Sequence, residues 1–138
     1  MNSDFCVAVH GMVYLNHKNC QLSSEELAEN ICTNPARVRK VMAKLKKKNL
    51  LQTKEGTVGG YSFQGDPGAV TLADIADALD LKFVETSWHS GNIDMDCLVA
   101  SGMGGLMDEI FLDLNQLCTQ RLREITIQDL DGRIFGCR

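Results

Sequence analysis

Apolar residues recur at three- and four-residue spacing in three successive stretches near the start of the chain. Phe5, Ala8, Val9, Met12, Val13 and Leu15 predict a first helix from about Ser3 to Asn16, with Asn16–Asn19 as its loop. Leu27, Ala28 and Ile31 give the inner face of a second helix, which starts after Ser23. Val38, Val41, Met42 and Leu45 give that of a third, which starts after Asn34. The polar residues ahead of these stripes are start signals. Ser23 stands three residues before Glu26, the spacing at which a hydroxyl and a carboxylate satisfy each other's backbone amides. Asn34 precedes Pro35, a cap residue followed by the residue best suited to a first helical turn.

The pattern then changes period. Leu50–Thr53 and Tyr61–Phe63 are short β-type runs separated by Gly56 and the pair Gly59-Gly60, which predicts a hairpin. Thr71-Leu72-Ala73-Asp74 opens a fourth helix, which ends near Leu79. From Asp80 to Gly105 the periodicity lapses. Trp88, Gly91, Asn92 and the run Gly102-Met103-Gly104-Gly105 predict a partly ordered linker with one turn near Cys97. A long helix is predicted from near Leu106, carrying Leu106, Met107, Ile110, Phe111, Leu114, Leu117, Cys118, Leu122 and Ile125. Thr126–Leu130 then adds one more turn, and Asp131–Arg138 is a tail. The fold class is mainly α with a small β-hairpin: a winged helix-turn-helix head over 1–80, a linker or sensing segment over 81–105, and a long C-terminal helix and tail over 106–138. A long, broadly apolar helix remote from the head pairs most simply with a second copy of itself.

Charge sharpens this reading. Every formal charge from Arg37 to Lys54 is positive: Arg37, Arg39, Lys40, Lys44, Lys46, Lys47, Lys48 and Lys54. The whole chain carries −4, so these eight leave −12 elsewhere. Attraction for a polyanion is thereby confined to one face. Burying the third helix's apolar stripe turns Arg37, Lys40, Lys44 and Lys48 outward, as a helix entering a DNA groove requires.

Other chemistry is sparse. No P-loop or Ser/His/Asp spacing appears, and Gly102-x-Gly104-Gly105 is too short for a dinucleotide fingerprint, so no enzyme is expected. No apolar run approaches the ~20 residues that cross a bilayer, and no signal peptide opens the chain, so a cytoplasmic location is expected. There the six cysteines would be free thiols. None forms a CxxC pair, which excludes a zinc finger or thioredoxin motif. Cys6 and Cys118 fall on apolar stripes and read as structural; Cys20 and Cys137 read as accessible. Cys6, His10 and His17 lie on one helix without a third ligand, so no metal site is expected. Trp88 and His89 fit either an effector pocket or a packed aromatic. Cys32 precedes a helix N-terminus rich in arginine, a setting that favours a thiolate.

Asn34-Pro35-x-x-Val38-Arg39, Leu45 with Asn49-Leu50, Gly56-x-x-Gly59-Gly60-Tyr61 and Val70-Thr71-Leu72-x-Asp74-Ile75 occur in order ahead of the long helix. Over essentially the whole chain this series resembles the Rrf-type (Rrf-two) bacterial winged-helix regulators, the IscR/CymR-like group. The resemblance implies a homodimeric repressor on a pseudo-palindromic double-stranded DNA operator. It places the third helix in the major groove and the wing, with Gly59, Gly60 and Tyr61, along the minor groove. Arg37, Arg39 and Lys40 are then candidates for groove contacts, and Lys44, Lys46, Lys47, Lys48 and Lys54 for phosphates. Gly59 and Gly60 would serve positive φ or close approach to DNA. Cluster-binding members carry three closely spaced cysteines where this chain has only Cys97, so no cluster and no other cofactor is expected. The arrangement looks instead like the thiol-switch branch, which implies oxidant sensing through Cys32 of one subunit and Cys97 of the other. A small molecule or a partner protein is the alternative effector.

Overall fold

Ser23, Asn34, Thr71 and Thr126 each open a helix in the same way, by accepting the backbone N–H three residues on at 3.1, 2.8, 3.2 and 3.0 Å. At Ser23, Thr71 and Thr126 the bond is reciprocated by Glu26, Asp74 and Asp129. Each such cap contributes about 1 kcal/mol. The computed structural model describes residues 2–136. Its elements are α1 (Asn2–Lys18), α2 (Ser24–Ile31), α3 (Pro35–Lys47), β1 (Gln52–Lys54), β2 (Gly60–Ser62), α4 (Leu72–Ala78), α5 (Leu98–Leu122) and α6 (Ile127–Phe135).

The chain divides into two units: a head of residues up to Leu81 together with Leu122 onward, and a second unit of Lys82–Arg121. In the head, α1 is the central element and packs against α2, α3, α4 and α6. Its Ala8, Met12 and Leu15 meet Leu27, Val38, Met42, Leu45 and Ile75 in one fully buried cluster. The stripes expected to face inward do so, because a helix face of this width has no other way out of water. The hairpin is antiparallel, with Thr53 opposite Tyr61 and Lys54 opposite Gly60. Leu22 adds a third rung, exchanging backbone hydrogen bonds with Tyr61 at 2.9 and 2.7 Å.

Two expectations are corrected. The predicted tail is helical: α6 runs to Phe135 and buries Ile127 completely. Backbone bonds from Leu72 to Ile125 and from Ile127 to Val70 tie this end of the chain to α4. Cys137 lies outside the described residues. The long helix starts at Leu98 rather than near Leu106, and Gly102, Gly104 and Gly105 lie within it. Each glycine costs a helix up to about 1 kcal/mol, yet a helix of this length absorbs such losses. The segment before it is ordered as well. Asn115 of α5 accepts from Val84 N at 2.9 Å and donates to Val84 O at 2.6 Å. His89 Nε2 lies 2.8 Å from Asp108 Oδ1. Gly91 adopts φ +71° where the backbone presses on Ala100, so no side chain fits there. Residues 84–97 thus form a loop pinned along α5.

Candidate nucleic-acid interface

Helix α3 divides as its sequence predicts. Val38, Val41, Met42 and Leu45 are buried, while Arg39, Lys40, Lys44, Lys46, Lys47 and Lys48 are exposed. The two arginines of its first turns are held by the head itself. Arg37 Nε donates to Asp4 Oδ1 at 3.0 Å, and its Nη2 reaches Ser3 Oγ at 2.6 Å. This hydrogen bond holds the Asp4 carboxyl below its ordinary value, against the opposing effect of burial. Arg39 Nη1 donates to Ser24 Oγ at 3.2 Å and lies 3.7 Å from Glu25 Oε1. Lys40, Lys44, Lys46, Lys47, Lys48 and Lys54 form no salt bridge among the described residues. Their ammonium groups are therefore not engaged in direct ion pairs, although Glu25 and Glu55 line the same cleft as Lys46 and Lys54.

The wing is fixed from behind. Gln21 donates its side-chain amide to Val58 O in the hairpin tip, a brace that no pattern in the sequence announces. Between the start of α2, α3 and the hairpin lies an open cleft of about 500 Å³, lined by Ser23, Ser24, Lys46, Lys54, Gly59 and Tyr61 among others. Burial raises the Tyr61 phenol above its ordinary value. Of the two reasons expected for the glycine pair, positive φ does not hold. Of the wing glycines only Gly56 has positive φ, at 114°. Gly59 and Gly60 are glycine because a Cβ would strike Lys54 O and Leu22 O of the chain's own backbone.

The cysteines separate by position. Cys32 closes α2 in a left-handed conformation (φ 65°), is exposed, and donates its thiol to Glu29 O at 3.7 Å. Cys97 is exposed at the start of α5, where the amides of Ala100 and Val99 draw its thiol below the ordinary value. Cys6, expected to be structural, is also exposed. It lines an apolar groove of about 1020 Å³ between α1 and α6, together with Val9, Val13, Tyr14, Ile134 and Phe135. His10 is bonded to Asn30 at 2.7 Å, and His17 stacks on Phe135 at 4.0 Å. Trp88 is not packed in a core, being 72% exposed. No helix is long and apolar enough to cross a membrane among the described residues.

A family model described as an iron-dependent transcriptional regulator, Rrf2, matches residues 1–132. The HTH-type transcriptional regulator YwnA of Bacillus subtilis (strain 168) is 27% identical over 137 residues, covering 98% of this chain and 99% of that protein. A transcriptional regulator from Lactobacillus plantarum superposes with TM-score 0.87 at 24% identity, covering 99% of this chain and 93% of that one. CymR, the global cysteine regulator of B. subtilis, superposes with TM-score 0.68 at 18% identity over 96% of each chain. At these identities the structural matches show the fold. The donor set does not fit the iron of the family description. Cys97 is the lone cysteine between the wing and Cys118, and no three His, Cys, Asp or Glu side chains gather to hold a metal among the described residues. The sequence match over nearly the whole length, on a winged-helix head with a long helix behind it, places this chain in the Rrf2 family of transcriptional regulators.

Proposed function

We propose that the chain is a homodimeric DNA-binding repressor that reads a pseudo-palindromic operator with α3 and the wing, and that senses oxidants through Cys32 and Cys97. The observation that carries the DNA reading is the face of α3. Six lysines of α3 and the wing form no salt bridge among the described residues, and they stand over a fully buried apolar stripe. Phosphates supply the missing counter-charge, and their contacts fix register without choosing sequence. Arg37 and Arg39 stand in the first turns of α3, the part of such a helix that meets base edges. Their hold on Asp4, Ser3, Ser24 and Glu25 presets their direction, and engaging a base exchanges one acceptor for another.

Helix α5 supports the dimer. None of its residues is buried, and Leu106, Ile110 and Leu117, which share one face, are about half exposed. Covering such side chains is worth about 1.5–3 kcal/mol each when complete, and a second α5 offers the same stripe in return. Two heads joined this way suit half-sites about 34 Å apart. For the switch, backbone amides stabilise the Cys97 thiolate, and exposed Cys32 of the partner subunit is the second thiol of the pair. Oxidation joins the two sulfurs by a disulfide. The oxidant takes up the two electrons, two protons are released, and the heads are locked at one separation. Similarity to CymR favours a second reading, in which the same dimer answers to a small molecule or partner protein linked to cysteine.

Non-reducing electrophoresis after diamide treatment tests the switch. A covalent dimer is expected in the parent and in neither Cys32→Ser nor Cys97→Ser. Cross-linking that survives in both variants, or its absence from the parent, overturns the pair and favours the second reading.

A further inference from the structure

The groove between α1 and α6 and the loop ahead of α5 have complementary surfaces. The groove floor is apolar, and the charged side chains on its rim, Lys18 and Arg133, are cationic; no carboxylate among the described residues lines it. The loop has the opposite character. Trp88, Ile93 and Met95 are 72%, 83% and 51% exposed, and Asp94 and Asp96 alternate with the last two. Exposed apolar side chains interleaved with carboxylates are poorly suited to bare solvent and well suited to an apolar floor with a basic rim. The loop is also pinned by Asn115 and Asp108, so little conformational freedom is lost on docking.

We infer that in the dimer the Trp88–Asp96 loop of one copy seats in the α1–α6 groove of the other, with Asp94 and Asp96 facing Lys18 and Arg133. This rests on the proposed dimer and deepens it. The loop runs directly into α5, so a loop seated in this way brings the segment that carries Cys97 onto the partner's head. Oxidation at Cys97 would then act on a loop already in contact with the partner's head.

Trp88 is the chain's one tryptophan, so its fluorescence reports this contact without labelling. With sedimentation velocity run in parallel on the full chain, the dimer is expected to show blue-shifted emission and severalfold weaker acrylamide quenching than free tryptophan. Arg133→Glu should restore solvent-like emission while leaving α5 paired, and Asp94→Arg with Asp96→Arg in that background should bring the shift back. A dimer whose Trp88 quenches like free tryptophan overturns the seating and leaves the dimer standing. A monomer at all concentrations overturns both. Shielded emission from a chain that sediments as a monomer places the loop on its own head, and an unchanged spectrum in Arg133→Glu gives the groove to another occupant; either result overturns the seating.

Discussion

Arg37 shows how much can hang on one side chain. It joins the first turn of α3 to the start of α1 through Asp4, at 2.9 Å from Nη2. The bond keeps the Asp4 carboxyl below its ordinary value, so the unfolded chain takes up its proton first as the pH falls. The stabilisation is therefore complete above the unfolded value and is lost as the pH falls through the lower folded one. Urea unfolding of Asp4→Asn should show lower stability than the parent at pH 7 and a difference that closes toward pH 3; a constant difference would contradict the pairing. On the proposed DNA reading, Arg37→Ala should weaken specific binding by about 1–3 kcal/mol, measured by anisotropy on a selected operator. Equal loss on every duplex would assign Arg37 to phosphates instead. Neither Asp4 nor Gln21 was legible in the sequence, because their partners lie far along the chain and follow no periodic rule. The wing glycines were legible as a requirement but not in its cause, since Gly59 makes room for the backbone of Lys54 and Gly60 for that of Leu22, which lies ahead of α2. Gly60→Ala should cost about 1–3 kcal/mol of stability in thermal unfolding, because a backbone carbonyl cannot step aside as a side chain can.

The helices that could be read from the chain were those with both a cap and a stripe. Ser23, Asn34 and Thr71 mark their starts, and the apolar positions behind them are buried as spaced. Helix α5 was foreshortened because glycine is a weak helix former and Gly102 to Gly105 interrupt the apolar pattern. What outweighs that loss is the rest of the helix and the loop pinned to it, a tertiary effect that no local window contains. Gly102 meets nothing within 4 Å where a Cβ would stand. Gly102→Ala should then stabilise the second unit by about 0.5–1 kcal/mol, read from chemical unfolding followed by circular dichroism. Destabilisation would instead mark Gly102 as a point where another helix approaches closely. The end of the chain was shortened for a different reason. Thr126 and Asp129 repeat the spacing of Thr71 and Asp74, and the turn over Thr126–Leu130 was legible, but the stretch after it is charged and breaks at Gly132, which hid the continuation of α6 to Phe135.

Across the molecule, the separation of charge is the property that links sequence to proposed activity. An acidic chain that gathers eight cations on one helix and hairpin meets a polyanion in one orientation only. The lysines should then act additively and without regard to base sequence, in contrast to Arg37. The most direct measurement is the affinity of the protein for an arbitrary duplex as salt is varied, by anisotropy, for the parent and for Lys44→Ala, Lys47→Ala and the double variant. The logarithm of affinity is expected to fall linearly with the logarithm of salt, each substitution lowering the slope by about 0.9 whatever the duplex sequence. Binding that ignores salt, or slopes unchanged by both substitutions, would contradict the assignment of α3 and the wing as the surface that meets DNA.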